Sequence, residues 1–144
     1  MTKTIKKQFF DKIQNLDEYI GYLDKISKET AKNKSLFLSD FHFFGTTERY
    51  LQLSIQTIMD LVQMLIIEEG LERPEENQEA ISLLYANKII SKKLAANLDG
   101  IVGFRNILVH EYGKIDKEKV YHYLQEKIVD IKNFRKEILK FLKK

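Results

Sequence analysis

A spacing of three and four residues between apolar positions recurs through several long segments of this chain and constrains its fold more than any other feature. An α-helix makes one turn in about 3.6 residues, so positions spaced in this way share one face of a helix. A half-buried strand would show alternation instead, and such runs are nearly absent. The only proline, Pro74, lies between two of these segments and interrupts neither. The chain is therefore predicted to be a helical protein, with over about two-thirds of its residues in helices.

The same spacing, together with residues that cap helices, predicts the individual elements. The first helix should run from about Ile5 to Lys28, and Ser39 should cap a second helix that ends at Glu69-Gly70. The apolar stripe of that second helix comprises Phe41, Phe44, Leu51, Ile55, Ile58, Val62 and Leu65. The remaining predicted elements are a short helix at 76–87, a helix capped by Ser91 that runs through Leu108 and stops near Gly113, and a last helix at 117–142.

Long amphipathic helices with short connections are the pattern of an up-and-down bundle. We expect an all-α fold, a four-helix bundle with one additional short helix. With 144 residues, of which 44% are hydrophobic, the chain can bury one core and is too short for two ordinary domains. Residues 1–144 are therefore predicted to form a single domain.

Several classes of protein do not fit this composition. The chain has no cysteine, which excludes disulfides, thiolate zinc sites and a cysteine nucleophile. The basic N-terminus has no apolar run after it, and charges interrupt the apolar stretches elsewhere, so we expect a cytoplasmic protein rather than a secreted or membrane-spanning one. His, Asp and Glu show no spacing typical of metal ligands, and there is no glycine-rich phosphate loop. No cofactor is expected.

Charge is distributed unevenly along the chain, although the net charge is only +3. Six glutamates and one arginine lie between Glu68 and Glu79, whereas ten lysines or arginines and five acids lie between Lys114 and Lys144. A basic segment of this kind can attract phosphate backbones, but a solvated helix face rich in lysine has the same composition.

The segment 103–112 combines side chains that suit phosphodiester chemistry. On a helix, Arg105 and Tyr112 would lie about 20° apart around the axis, and Asn106 and His110 about 40° apart. An imidazole can take a proton from a ribose 2′-hydroxyl or return one to the leaving oxygen. An arginine offers fixed, charged donors to the phosphate oxygens on which negative charge develops, and an asparagine can support either group. Such a site would cleave RNA without a metal.

One copy of the segment contains a single histidine, whereas cleavage needs both a base and an acid. A two-fold axis beside this helix would bring two copies of Arg105 and His110 into one cleft, so we expect a homodimer. The same residues at a helix end also fit a capping and surface cluster. His42 and His122 have no comparable neighbours; the former is expected to pack or to lie at an interface, and the latter to be exposed on the last helix.

Residues 105–112, RNILVHEY, match the R-x4-H-x-Y motif of HepT-like proteins of the HEPN superfamily. The match includes the polar residue directly after the arginine. The resemblance extends to residues 48–52 with Asp60, to residues 94–100, and to Ile115-Asp116 followed by Val120-Tyr121. It covers about Ile5 to Phe141, and on these residues the chain resembles the HepT-like ribonuclease toxins.

This resemblance implies a HEPN bundle that dimerises with its motifs facing each other. It further implies a metal-independent endoribonuclease that acts as the toxin of a type VII HEPN/MNT toxin–antitoxin system. Arg105 and His110 would then be catalytic, with Asn106 in support. A nucleotidyltransferase antitoxin would be the partner and would transfer AMP to the motif tyrosine, here Tyr112. The acidic segment 68–79 would repel RNA at the cleft, so it is expected to lie away from the site.

Two other functions remain open from the sequence. The chain could be a non-catalytic member of the same superfamily, which binds a nucleotide or serves as a scaffold subunit for a transferase. It could also be a structural bundle whose exposed aromatic residues, such as Phe43 and Tyr50, serve only association.

Overall fold

The structure is a computed structural model that describes residues 1–108 and 116–144. The described residues form helices and no strands, and about 82% of them are helical, which confirms the predicted all-α class. The helices are α1 (Lys3–Glu29), α2 (Lys34–Ser39), α3 (Phe41–Glu68), α4 (Asn77–Ala86), α5 (Lys92–Leu108), α6 (Lys117–Glu126) and α7 (Ile128–Leu142).

α3 is the central helix of the bundle and contacts every other described helix. Its length and apolar composition would allow it to cross a membrane, yet half of its most apolar window is buried inside the protein. The predicted stripe is buried from Leu51 to Leu65, and a second edge that includes Met59 and Ile66 is buried as well. The apolar character of α3 is thus accounted for by helices packed on more than one of its sides.

α1 runs antiparallel to α3, because Lys12 contacts Asp60 while Tyr22 contacts Tyr50. Its apolar spacing predicts one stripe, which comprises Phe9, Ile13, Leu16, Ile20 and Leu23. This stripe forms the packing face, and Phe9, Leu16 and Leu23 are fully buried. Thr2 begins the helix by accepting a hydrogen bond from the backbone N–H of Ile5. The helix therefore starts two residues earlier than the apolar pattern indicates.

The N-terminus of α3 differs from the prediction. The cap is Asp40, whose carboxylate accepts from the N–H of His42 at 2.9 Å, whereas Ser39 ends the short helix α2. α2 itself was not predicted, since a six-residue helix is too short to show a periodic pattern. Phe41 was predicted in the buried stripe but is 66% exposed, whereas Phe44, the next residue of the stripe, is partly buried against the core.

The predicted last helix is divided at Lys127 into α6 and α7. The apolar spacing continues through Leu124, Ile128 and Ile131, so the pattern contains no sign of the break. Arg135 donates from Nε to Asp17 at 2.6 Å and Lys132 donates to Asp24 at 2.7 Å, which joins α7 to α1. These contacts hold α7 against α1, and they join residues so far apart in the chain that the local sequence does not indicate them.

α5 is held at its start by a double cap. The Oγ of Ser91 accepts from the N–H of Leu94 at 3.1 Å, as predicted. The carboxylate of Glu137 on α7 accepts both from the Ser91 N–H, at 2.6 Å, and from its hydroxyl, at 2.9 Å. A side chain of α7 therefore completes the cap at the start of α5, the helix whose last turn carries Arg105.

Candidate functional site at the end of α5

The motif begins in the last turn of α5, where Arg105 and Asn106 are both exposed. The predicted site residues His110 and Tyr112, and the predicted stop at Gly113, lie outside the described residues. Two apolar side chains anchor this turn from the opposite face: Phe104 is 7% exposed and Leu108 is 5% exposed. Burial of these two residues directs the intervening polar pair to solvent, as the helical period requires.

Arg105 is oriented by a residue of α3. Its Nη2 donates to Oε1 of Gln56 at 3.1 Å, and Nε2 of Gln56 donates in turn to Oδ1 of Asp60 at 2.9 Å. The other carboxylate oxygen of Asp60 accepts from Nζ of Lys12 at 3.3 Å. The guanidinium is thus the end of a hydrogen-bonded row that crosses α5, α3 and α1.

The direct partner of Arg105 in this row is a neutral amide. Asp60 is shared between Gln56 and Lys12, so the nearest carboxylate of the row is one residue removed from the guanidinium. An amide acceptor orients the fork of donors without neutralising it. The arrangement leaves a positioned positive charge at the protein surface, which suits the binding of a phosphate group.

Sequence reasoning singled out Asp60 but missed Gln56. A signal was present: polar side chains at positions 49, 52, 56 and 60 lie on one face of a helix that is otherwise apolar. Arg49 and Gln52 on this face contact each other at 3.5 Å. A polar stripe of this kind marks the face of α3 that points away from the core. Gln56, which belongs to this stripe, could have been proposed from it as a partner of Arg105.

Electrostatics differ on the two flanks of α5. The acidic segment was expected away from the site, but Glu72, Glu76 and Glu79 line a groove with Asp99 of α5. Asp99 precedes Arg105 by six residues, which corresponds to about 9 Å along the axis. Asp99 also lies about 120° around the helix axis from Arg105, and no described residue of the motif lines this groove, so the expectation that the acidic segment lies away from the site stays a prediction. An RNA strand at Arg105 would be repelled from this flank.

The other flank of α5 faces α6 and the start of α7, where Lys119, His122 and Lys127 line a groove. His122 is exposed, as predicted. His42 is also exposed and its ring lies 4.2 Å from that of Phe41, so it does not pack in the core and its interface role stays a prediction. The basic lysines at 136, 140 and 144 lie near Ser91, at the end of α5 remote from the motif.

Comparison with known proteins agrees with the motif and the bundle. The sequence profile of the family described as Ribonuclease HepT-like matches residues 16–138, most of the chain. The chain belongs to this family. As a HepT-like protein of the HEPN superfamily it is an endoribonuclease, which confirms the resemblance predicted from residues 105–112.

Individual relatives of this HepT-like protein are nucleases. The mRNA nuclease HepT of Shewanella oneidensis is 29% identical over 100 residues, which cover 69% of this chain and 75% of the relative. The tRNA nuclease HepT of Aphanizomenon flos-aquae is 34% identical over 105 residues, which cover 72% of this chain and 71% of the relative. The two relatives are named for different RNA classes, so family membership does not specify the substrate RNA.

Solved structures share the fold over nearly its whole length. The tri-AMPylated HEPN toxin of Shewanella oneidensis, in complex with its MNT antitoxin, matches with a TM-score of 0.79 and 25% identity over 97% of this chain and 99% of that one. A toxin–antitoxin structure with AMP-PNP matches with a TM-score of 0.74 and 26% identity over 90% of this chain and 98% of that one. The HepT-like chain therefore has the helical architecture of HEPN toxins.

Proposed function

We propose that this HepT-like protein is the toxin of a type VII HEPN/MNT toxin–antitoxin system and acts as a metal-independent endoribonuclease. The observation that carries the proposal is the guanidinium of Arg105, which Gln56 orients at 3.1 Å at the exposed end of α5. The family match supports the reaction class. The protein would work in the cytoplasm as a single HEPN domain.

In the proposed reaction His110 removes the proton of a ribose 2′-hydroxyl, and the 2′-oxygen attacks the adjacent phosphorus. The bond from phosphorus to the 5′-oxygen breaks, and that oxygen receives a proton from a second imidazole. Arg105 stabilises the negative charge on the phosphoryl oxygens, and Asn106 supports it or orients the imidazole. The products are a 2′,3′-cyclic phosphate and a 5′-hydroxyl.

The second imidazole would come from a second copy of the chain. Each protomer supplies one His110, and a homodimer with adjacent motifs supplies the base and the acid together. The exposure of Arg105 and Asn106 supports this arrangement, because both side chains are available to a partner surface and to RNA.

Control by a nucleotidyltransferase antitoxin is proposed at Tyr112. The tyrosine oxygen would attack the α-phosphorus of ATP, pyrophosphate would leave, and the hydroxyl proton would pass to solvent. The added AMP carries a phosphate that repels the RNA backbone and can pair with Arg105, while the adenosine fills the cleft. The AMPylated state of the Shewanella oneidensis toxin in its antitoxin complex supports this proposal.

Cleavage is tested with purified protein, total RNA and EDTA. Wild type should produce fragments with cyclic phosphate ends, and Arg105→Ala and His110→Ala should each lose at least about a hundredfold in rate. The matched control is Arg49→Ala, which removes another exposed arginine on the polar face of α3. This variant should retain activity. Intact RNA after prolonged incubation with wild type would instead favour the non-catalytic nucleotide-binding or scaffold role.

The composite site is tested by mixing. Wild type incubated with excess His110→Ala until protomers exchange should lose activity per wild-type molecule, because mixed dimers lack one imidazole. The same variant added at the moment of assay controls for competition for RNA. Undiminished activity after exchange would show that each protomer cleaves alone.

Modification is tested with a nucleotidyltransferase partner and ATP, followed by mass spectrometry of the intact protein. Wild type should gain AMP and lose nuclease activity, whereas Tyr112→Phe should gain none and stay active. Tyr121→Phe is the control, because the Tyr121 hydroxyl is engaged in the fold by donating to the carbonyl of Thr30 at 2.8 Å. Equal AMP addition to wild type and Tyr112→Phe would move the regulatory site elsewhere.

A further inference from the structure

Asp60 lies on the opposite side of Gln56 from Arg105, and the donors and acceptors of these three side chains fit together in only one way. The guanidinium of Arg105 has donors and no acceptor, whereas the carboxylate of Asp60 only accepts. Gln56 bonds to Arg105 at 3.1 Å and to Asp60 at 2.9 Å. Its amide therefore satisfies both neighbours in a single orientation, with Oε1 toward Arg105 and Nε2 toward Asp60.

The reversed orientation of the Gln56 amide is unfavourable at both ends. It would place Nε2 against the donors of Arg105 and Oε1 against the carboxylate of Asp60. Both hydrogen bonds would then be replaced by contacts between like groups. A group at position 60 that can also donate would remove this constraint. The acceptor at position 60 thus decides whether Arg105 meets an acceptor.

A residue of α1 holds the carboxylate of Asp60 in place. Nζ of Lys12 donates to Oδ2 at 3.3 Å, whereas Gln56 donates to Oδ1, so the two contacts use different oxygens and do not compete. Asp60 follows Gln56 by four residues, which places the two side chains one turn apart on the same face of α3. The contact from Lys12 therefore fixes the Asp60 side chain from a helix that supplies no residue of the motif.

The joining of α1 to α3 does not depend on this ion pair. The side chains of Lys12 and Asp60 are 38% and 39% exposed, and an ion pair with this exposure contributes little to stability. The two helices are held together by the buried stripe of α1, which includes Phe9, Leu16 and Leu23. The specific effect of the ion pair is to fix one carboxylate oxygen beside the amide of Gln56.

We infer that Asp60, held by Lys12, is a positioning residue of the ribonuclease and selects the orientation of the Gln56 amide in which Arg105 meets an acceptor. This inference rests on the proposed function. Asp60 acts through Gln56 and not on the RNA itself, so its effect is on the rate of the reaction rather than on RNA binding. The helix α1, which is outside the motif, thereby contributes to the site.

Reversal of the ion pair is the direct test. Asp60→Lys combined with Lys12→Asp exchanges the two groups, so the net charge and the contact between α1 and α3 are kept. Position 60 then donates, and the amide of Gln56 turns its Nε2 toward Arg105. The kcat for RNA cleavage should fall about tenfold with little change in KM, because Arg105 loses its acceptor but keeps its charge.

Asp60→Asn is a milder variant that keeps the shape of the side chain. The new amide can either accept from Gln56 or donate to it, so both orientations of the Gln56 amide become accessible. The kcat should fall about twofold if the two orientations are equally populated. If circular dichroism shows that the reversed pair does not fold, Asp60→Asn decides in its place, and a wild-type kcat in this variant would overturn the inference.

The matched control is another lysine–aspartate pair that joins α1 to a neighbouring helix. Lys132 of α7 donates to Asp24 at 2.7 Å, and the side chains are 41% and 33% exposed. Asp24 lies about 18 Å along α1 from Lys12. Asp24→Lys combined with Lys132→Asp should therefore keep the wild-type kcat. An equal loss of kcat in both reversed pairs would show a general effect of ion-pair reversal and would overturn the inference.

A double-mutant cycle separates positioning through Gln56 from a structural role. In a Gln56→Ala background, reversal of the Lys12–Asp60 pair should cause no further loss of kcat, because the amide on which Asp60 acts is absent. A further loss in that background would show that Asp60 acts by another route and would overturn the inference.

Side-chain NMR distinguishes this inference from the proposed function, because it needs no activity. In isotope-labelled wild type at low temperature, the two Nη groups of Arg105 should give separate signals, which should average in the reversed pair as the guanidinium is released. This result, with no cleavage of RNA by wild type, would support the positioning of Arg105 by Asp60 and overturn the nuclease. Cleavage with the same kcat in wild type and in the folded reversed pair would overturn the inference and leave the nuclease intact.

Discussion

Arg105 and Gln56 are joined by a hydrogen bond of 3.1 Å that links the first residue of the motif to the central helix of the bundle. Gln56 is fixed in turn by Asp60 at 2.9 Å. The catalytic candidate is therefore positioned by a residue 49 positions away in the chain. This relationship orients the guanidinium and preserves its charge.

Gln56→Ala should release Arg105 and lower kcat for RNA cleavage by about tenfold with little change in KM, because a misplaced group loses transition-state contacts. Gln56→Glu should raise KM instead, since the new carboxylate neutralises the guanidinium. Gln52→Ala, on the same face of α3, is the control. In an Arg105→Ala background Gln56→Ala should have no further effect, and an additive loss would show that Gln56 acts independently of Arg105.

The cap that joins α5 to α7 is expected to contribute measurably to stability. Ser91→Ala should lower the free energy of unfolding by about 1 kcal/mol in urea, because the N–H of Leu94 loses its acceptor. Glu137→Ala should cost a similar amount, since it leaves both Ser91 donors without their carboxylate. The double variant should lose less than the sum of the two effects, because the residues form one unit. Strict additivity would show that the two contacts are independent.

Phe41 and Leu51 occupy the same apolar stripe in the sequence but differ in burial. Phe41 is 66% exposed, so Phe41→Ala should change the free energy of unfolding by less than about 0.5 kcal/mol. Leu51 is fully buried, so Leu51→Ala should cost about 2–5 kcal/mol. Thermal and urea unfolding of both variants would measure this contrast. A large loss in Phe41→Ala would indicate that this side chain is covered in the protein in solution.

Asp130 should make stability depend on pH. Burial raises the pKa of its carboxyl above the ordinary value of 3.8, and Lys127, Asn97 and Lys93 only partly oppose the rise. As pH increases from that value, the unfolded chain loses its proton before the folded one does, so the stability of the folded state falls. Asp130→Asn avoids this loss.

The melting temperature of Asp130→Asn relative to wild type should therefore be higher at pH 7 than at pH 4. Asp17→Asn is the control: it removes a contact with Arg135 and should give no such gain at neutral pH. A difference between Asp130→Asn and wild type that does not change with pH would show that burial of the charge is not the cause.

Local pattern predicted much of this protein. The stripe of α1, the length of α3 and the Ser91 cap of α5 followed from helical periodicity and from the hydrogen-bonding capacity of short polar side chains. The helical period of the motif likewise placed Arg105 and Asn106 on polar edges of a helix and turned Leu108 toward the core, where the structure has it 5% exposed. These properties depend on neighbours within one or two turns, which the linear sequence displays.

Only the tertiary structure decided the features that join distant segments. Gln56 is the partner of Arg105, and Glu137 contributes to the cap of α5, because helices far apart in the chain pack side by side. The division of the last helix at Lys127 and the return of the acidic segment along α5 left no mark on the apolar spacing. Periodicity records which face of a helix is buried, but not which helix covers it, and the site depends on that second choice.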